Sequence, residues 1–215
     1  MRNLLKSGAA LLLALTVLFA TYEAYALARA RAHTPAVLVR AGQGELRLDD
    51  LSPARLHALL AVEDPGFARH HGIDFTTPGQ GMTTLTQALV KIFYFHHFRP
   101  GFAKIEQSLI ARFVLDPAMA KPEQVHALLN HANFGTWDGR PVIGFVAAAR
   151  TYFVRSFAAL SDRQFLSLVA MLMAPNRLDP LRHPAANAER VRRIERLLAG
   201  RCRPDGLNDV AYRRC

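Results

Sequence analysis

Glu63 and Asp64 are adjacent carboxylates at a point where the chain must change direction. Ser52 and Pro53 open an amphipathic stretch, Pro53 to Val62, as N-cap and first helical residue. Pro65 disfavours helix at Asp64 and has no amide to donate, so the predicted helix stops near Glu63. Asp64 can then cap a second short helix that has Pro65 at its first position and ends at Gly72. Glu63 is left at a break. It is either a solvated residue on a helix–turn–helix corner or a carboxylate facing a cleft, where it could accept a proton.

A second group lies downstream. Thr76 to Gly81 reads as a loop with Pro78, Gly79 and Gly81, and Thr83 or Thr84 can cap a helix that carries Leu85, Leu89 and Ile92 on one face. A turn feeding a helix N-terminus with several hydroxyls suits an anion, because free amides and the helix dipole point the same way. Thr83, Thr84 and Gln87 would donate hydrogen bonds and Lys91 would supply charge. An ordinary capped helix with a solvated lysine fits the same residues. His96 and His97 have no companion at metal-ligand spacing, so no zinc site is expected.

The elements that must position these groups are mostly helical. Lys104 to Leu115, Pro122 to Ala132, Val142 to Phe153, a stretch through Met173 opened by the capping-box spacing Ser161–Gln164, and Ala185 to Leu198 all read as helices. Strand signals are scarce. Gly8 to Thr21 carries no charge, and counting on to Leu27 gives the roughly 20 residues that span a bilayer. Ala26-Leu27-Ala28 also has the form of a signal-peptide cleavage site, so anchor and leader both remain open, behind a short basic lead from Met1 to Lys6. His33 to Asp50 reads as a linker with a short strand at Ala36 to Val39. The aromatic run Ile92 to Phe98 fits either a bilayer interface or the core.

At 215 residues the chain can build one full core, and 51% hydrophobic residues exclude disorder. A net charge of +10 suits an anionic partner such as lipid headgroups or a pyrophosphate. Nucleic acid fits poorly, because the arginines are scattered and no binding motif is present. Cys202 and Cys215 could pair in an oxidising compartment or stay reduced in the cytosol.

The run Glu-Asp-x-x-Phe-x-x-His-x-Gly-x-Asp, from Glu63 to Asp74, resembles the first motif of the family 51 peptidoglycan glycosyltransferases. These are the lipid II polymerising domains of class A penicillin-binding proteins and their monofunctional relatives. Gly81 to Lys91 is similar to the family's second motif, with Met82 in place of a Gly and Ala88 in place of a Gln. Lys104 matches the third motif, but Ala103 stands where an Arg is expected and Gln107 where a second Glu is expected. Glu106 is adjacent, about 100° away around the helix. One extra residue before Lys121 would allow a local shift to bring it into place. Lys121, Asn130, Phe134-Gly135, Gly144 to Phe153, and Pro175 with Asp179 and Pro180 follow in the family's order, with His126 where a Glu is usual. The likeness spans roughly Ala58 to Leu198.

The resemblance implies a mainly α, lysozyme-like domain preceded by one transmembrane helix. It implies an anchor over 1–28, a linker over 29–50, the catalytic domain over 51–200 and a tail over 201–215. Glu63 and the Gln107 position would be catalytic. Asp64, Phe67, His70, Thr83, Thr84, Gln87, Lys91 and Lys104 would bind substrate, with Arg99 or a divalent cation (Mg or Mn) helping on the pyrophosphate. Lipid II, the growing strand, the bacterial inner membrane and other cell-wall synthesis proteins are the implied partners, with the domain on the periplasmic side. No transpeptidase domain and no penicillin-reactive serine are expected at this length. Losing one charge-stabilising contact commonly costs on the order of 3 kcal/mol of barrier. A relative that binds lipid II or partners without turnover is therefore the alternative, and a lysozyme-like hydrolase is a third.

Overall fold

A computed structural model describes residues 2–215, with side chains from Lys6 onward, so most of the basic lead (Met1 to Leu5) lies outside the described side chains. Helix α1, Arg2–Ala41, is one unbroken rod of 40 residues, about 60 Å at 1.5 Å per residue. Its first half exposes Leu11, Leu12, Leu13, Leu15 and Leu18, and it is long and apolar enough to cross a membrane. Its second half buries Ala30, Val37 and Ala41 against α3, α4 and α6. The strand expected at Ala36 to Val39 is therefore helix, and much of the expected linker is part of the core. Pro35 lacks an amide for the helix ladder, yet packing on the domain carries the helix past it.

Helix α2, Pro53–Glu63, starts and stops as its sequence dictates: Ser52 Oγ accepts the Arg55 amide, and the helix ends at Asp64. Helix α3 spans Leu85–Tyr94, and Thr84 and Gln87 cap it reciprocally. Helix α4, Phe102–Ile110, runs into a π-helical turn, Ala111–Leu115, and then into the short α5, Asp116–Ala118. A π turn holds one more residue than an α turn, so the chain advances an extra residue between α4 and α5. Helix α6 is Lys121–His131. The aromatic end of α3 turns inward: Phe93 is buried against His131, and the Tyr94 hydroxyl meets Thr34 Oγ1 of α1 at 2.9 Å.

An antiparallel hairpin, β1 Asn133–Trp137 and β2 Arg140–Ile143, comes before α7, Phe145–Phe153. Val142 and Ile143 are strand, where the sequence reading has helix. Asp138 and Gly139 both take positive φ, 48° and 75°, the conformation of the two-residue turn that this dipeptide favours. Helix α8, Asp162–Leu172, is the most buried, with Leu168, Val169, Ala170 and Met171 wholly inside, packed on α2, α7 and α9. Ser161 and Gln164 form its capping box. Helix α9, Pro184–Leu198, closes the domain, and the tail beyond it carries a Cys202–Cys215 disulfide. The fold is mainly α with one long apolar N-terminal helix.

Candidate active site

The corner after Glu63 is not a second helix. Residues 65–69 form turns, and Asp64 caps a different element: its carboxylate accepts the Leu85 amide at 2.7 Å, 21 residues on, at the start of α3. His70 Nε2 sits 2.9 Å from both Asp64 oxygens, and its Nδ1 accepts the Gly72 amide at 3.1 Å. Because Nδ1 is an acceptor, the ring proton is on Nε2 and is donated to Asp64. Thr84 Oγ1 donates to the Gly72 carbonyl at 2.7 Å. Gly72 has φ +86°, and a Cβ there would meet the Ala111 carbonyl oxygen at 2.4 Å, so only glycine lets the corner lie against the π turn. Asp64, His70 and Thr84 thus tie α2 to α3 and spend their polar atoms doing so.

That network holds Glu63 at the mouth of a cleft of about 350 Å³, lined by Gly81, Thr83, Lys91, Met173, Arg190 and Val210 among others. Burial pushes the half-buried Glu63 carboxyl up to about 7; Arg190 pulls the other way and Asp64 adds to the rise. Its titration is set by burial and charge, without hydrogen bonds. Lys104 Nζ donates to Thr83 Oγ1 at 2.8 Å on the cleft's rim. Burial, then the charge of Lys91, holds the Lys104 ammonium below its usual value. Glu63, Thr83, Lys91 and Lys104 are thus brought to one place.

The remaining sequence candidates lie outside this group. Phe67 is buried edge-on to His70, with Lys121 Nζ over its ring at 4.6 Å. Gln87 is buried, accepting the Thr84 amide and donating to Ser108 Oγ at 2.8 Å. Gln107 is 1% exposed and donates to the Gln87 carbonyl at 2.6 Å, while its own Oε1 has no partner among the described residues. It faces α3 from within the packed interface and is not part of the cleft lining. Glu106 does not take its place: the π turn begins at Ala111, after the site, so it cannot rotate residue 106 into register. Glu106 faces α1 instead, 3.4 Å from the Tyr22 hydroxyl. Arg99 is exposed after α3 and is not among the cleft's lining residues.

Sequence reasoning missed two contributors. Arg190, on α9, is 5% exposed, and its Nε and Nη1 have no hydrogen-bond partner among the described residues. Gln80 is buried, donates nothing from Nε2 among the described residues, and accepts the Gly66 amide at 3.3 Å. The helical period of α9 offered the one available signal for Arg190, which shares the buried face of Asn187, Val191 and Ile194.

A family model described as transglycosylase matches residues 39–199. The biosynthetic peptidoglycan transglycosylase of Brucella suis is 29% identical over 171 residues, covering 74% of this chain and 72% of that protein. The protein of the same description from Caulobacter vibrioides is 27% identical over 196 residues, 82% of each chain. Penicillin-binding protein 1F of Bacillus subtilis is 31% identical over 146 residues, 62% of this chain but 20% of that longer protein.

Proposed function

The chain belongs to the transglycosylase family, and from that premise we propose that it polymerises lipid II into glycan strands with Glu63 as general base. The observation that carries this reading is Glu63 itself, a carboxylate raised to about 7 in a cleft that also holds Lys91 and Arg190. A base of that strength is ionised just above neutrality and still basic enough to accept a proton from a sugar hydroxyl. The 4-hydroxyl of one lipid-linked sugar attacks C1 of the other, and its proton passes to Glu63. The C1–oxygen bond breaks, and its electron pair leaves with the pyrophosphate. In this proposal Lys91, which lines the cleft, and Lys104, bonded to Thr83 of its lining, neutralise that charge. Pyrophosphate is a good leaving group, so one carboxylate suffices and no general acid is needed at the Gln107 position.

Asp64 fits a protein-held divalent cation poorly, since both its oxygens are engaged by His70 and by the Leu85 amide. In this proposal Mg or Mn enters only as a companion of the substrate's pyrophosphate. The first half of α1 anchors the protein in the inner membrane, the domain lies on the periplasmic side, and other cell-wall synthesis proteins are its neighbours. The proposed anchor, linker, domain and tail keep their bounds at 28, 50 and 200, but residues 29–41 of the linker continue helix α1 and pack in the same core as the domain.

Ala103 and the buried Gln107 favour a second reading, a relative that binds lipid II without turnover. Incubating the full chain in detergent with labelled lipid II and Mg or Mn, wild type beside Glu63→Gln, separates the two. Polymer from the wild type alone is expected. Retained lipid II binding with no polymer from either protein overturns the polymerase in favour of the binding relative.

A further inference from the structure

Residues 200–215 lie beyond the matched family segment, yet they build part of the cleft around Glu63. Val210 lines the cleft. The Gly79 amide donates to the Gly206 carbonyl at 2.9 Å and the Gly81 amide to the Leu207 carbonyl at 2.7 Å, so the tail is laced to the loop that leads into α3. Gly81 has φ +68°, and a Cβ there would meet Val210 Cγ1 at 2.6 Å; loop and tail are fitted to one another. Tyr212 is fully buried. Its hydroxyl donates to the carbonyl of Val62, the residue before Glu63, at 2.9 Å, and its ring lies 4.4 Å below the Arg190 guanidinium. The Cys202–Cys215 disulfide closes the tail on itself, and Arg196 of α9 donates to the Cys215 carbonyl.

Taking Glu63 as the base, as proposed above, we propose that this stapled tail is the second wall of the catalytic cleft and that Tyr212 is a positioning residue for Glu63 and Arg190. Tyr212 touches the two elements whose charges meet in the cleft, the last turn of α2 and the middle of α9. It fixes the Val62–Glu63 peptide through a hydrogen bond and the Arg190 guanidinium through the face of its ring. With Val210 beside it, the tail keeps water from one side of the carboxylate. The charged and titratable groups that share this environment are Asp64 at the end of α2, Lys91 on α3, Lys104 on α4 through Thr83, Arg190 on α9, and Asp209 and Tyr212 on the tail. A tail that only clips the C-terminus would leave the titration of Glu63 unchanged when opened.

The test is a carbon-13 NMR titration of the full chain in detergent micelles with labelled glutamate carboxyls, the Glu63 signal being identified by its loss in Glu63→Gln. Wild type, the double variant Cys202→Ser/Cys215→Ser, Tyr212→Phe and Val210→Ala are compared, with thermal unfolding recorded for each. The wild-type midpoint is expected near 7, falling by roughly one pH unit when the staple is removed and water reaches the carboxylate. Val210→Ala and Tyr212→Phe, which keep the staple, move it the same way by less, so the test survives if the double variant unfolds. An unchanged midpoint in the folded variants, or a wild-type carboxyl that titrates at the ordinary value, overturns the inference. The readout needs no turnover: absence of polymer from the wild type would remove the polymerase reading and leave this result standing.

Discussion

The α2–α3 side of the cleft and the α4 side are built differently. On the first, Asp64, His70, Gly72, Thr84 and the Leu85 amide satisfy one another through hydrogen bonds, and among the described residues Glu63 is the one carboxylate that lines the cleft. On the second, Ala103 offers no charge, Gln107 is turned into the interface with α3, and Glu106 faces the N-terminal helix. Under the proposed mechanism the α2–α3 side holds the base in a closed network, while the α4 side contributes Lys104 alone to the pyrophosphate, beside Lys91 of α3. The two halves of such a site can therefore diverge separately. Positioning a base needs a buried network that fails as a whole, whereas charges on a rim can be lost one at a time.

The largest expected effect is on the first side. Glu63→Gln removes the base and lowers polymer formation by about a thousandfold, measured as the rate of lipid II consumption. The same change separates chemistry from folding. A carboxyl raised from 4.5 to about 7 is stabilising relative to the unfolded chain only while protonated, and that contribution is lost as pH rises through 7. Thermal unfolding of Glu63→Gln should match wild type near pH 4 and exceed it at pH 8, by up to about 3 kcal/mol. Next in size is Asp64→Ala, which strands the Leu85 amide and the His70 Nε2 proton in the interior. It costs about 3 kcal/mol in denaturant unfolding.

On the α4 side, Gln107→Glu is expected not to raise the rate of lipid II consumption. It takes the donor from the Gln87 carbonyl and buries a charge, lowering stability by about 2 kcal/mol. Ala103→Arg adds a positive charge next to Lys104 in sequence and, if the proposed pyrophosphate site lies there, raises the rate of lipid II consumption by about tenfold. Glu106→Gln is the smallest: because the carboxylate faces Tyr22 and not the cleft, turnover stays within about twofold of wild type. A large loss there would show that the α4 side is not depleted but rearranged.

What was legible in the sequence was what is local. Ser52 with Pro53 and Ser161 with Gln164 each specify a helix start within four residues, and of the two cap candidates Thr83 and Thr84 the structure uses Thr84, with Gln87 closing the cap instead of reaching for an anion. The Asp138-Gly139 turn is equally local but was hidden, because the apolar residues after it read as one helical run from Val142. Continuity of α1 through Pro35 could not be read, since burial of Val37 and Ala41 on distant helices outweighs the lost hydrogen bond. At the site, the motif spacing named Glu63, Lys91 and Lys104, and in the structure Glu63 and Lys91 line one cleft while Lys104 reaches Thr83 beside it. It could not tell which polar residues serve the substrate and which are consumed in tying helices together. Asp64 looked like the cap of the next helix and caps Leu85, 21 residues away. The period of α9 could mark Arg190 as buried, but not that it would face Glu63, since the two come together only when the domain closes. The disulfide was left open between two alternatives, and the structure joins Cys202 to Cys215.

The most direct measurement of the central claim, that Glu63 is the base of this cleft, is the pH dependence of kcat/KM for lipid II polymerisation by the wild type. Glu63 must be ionised to accept a proton, so kcat/KM should rise about tenfold per pH unit on the acid side and level off near pH 7. A profile already flat at pH 5 would contradict the account, because the group accepting the proton would then not be the carboxylate held in this cleft.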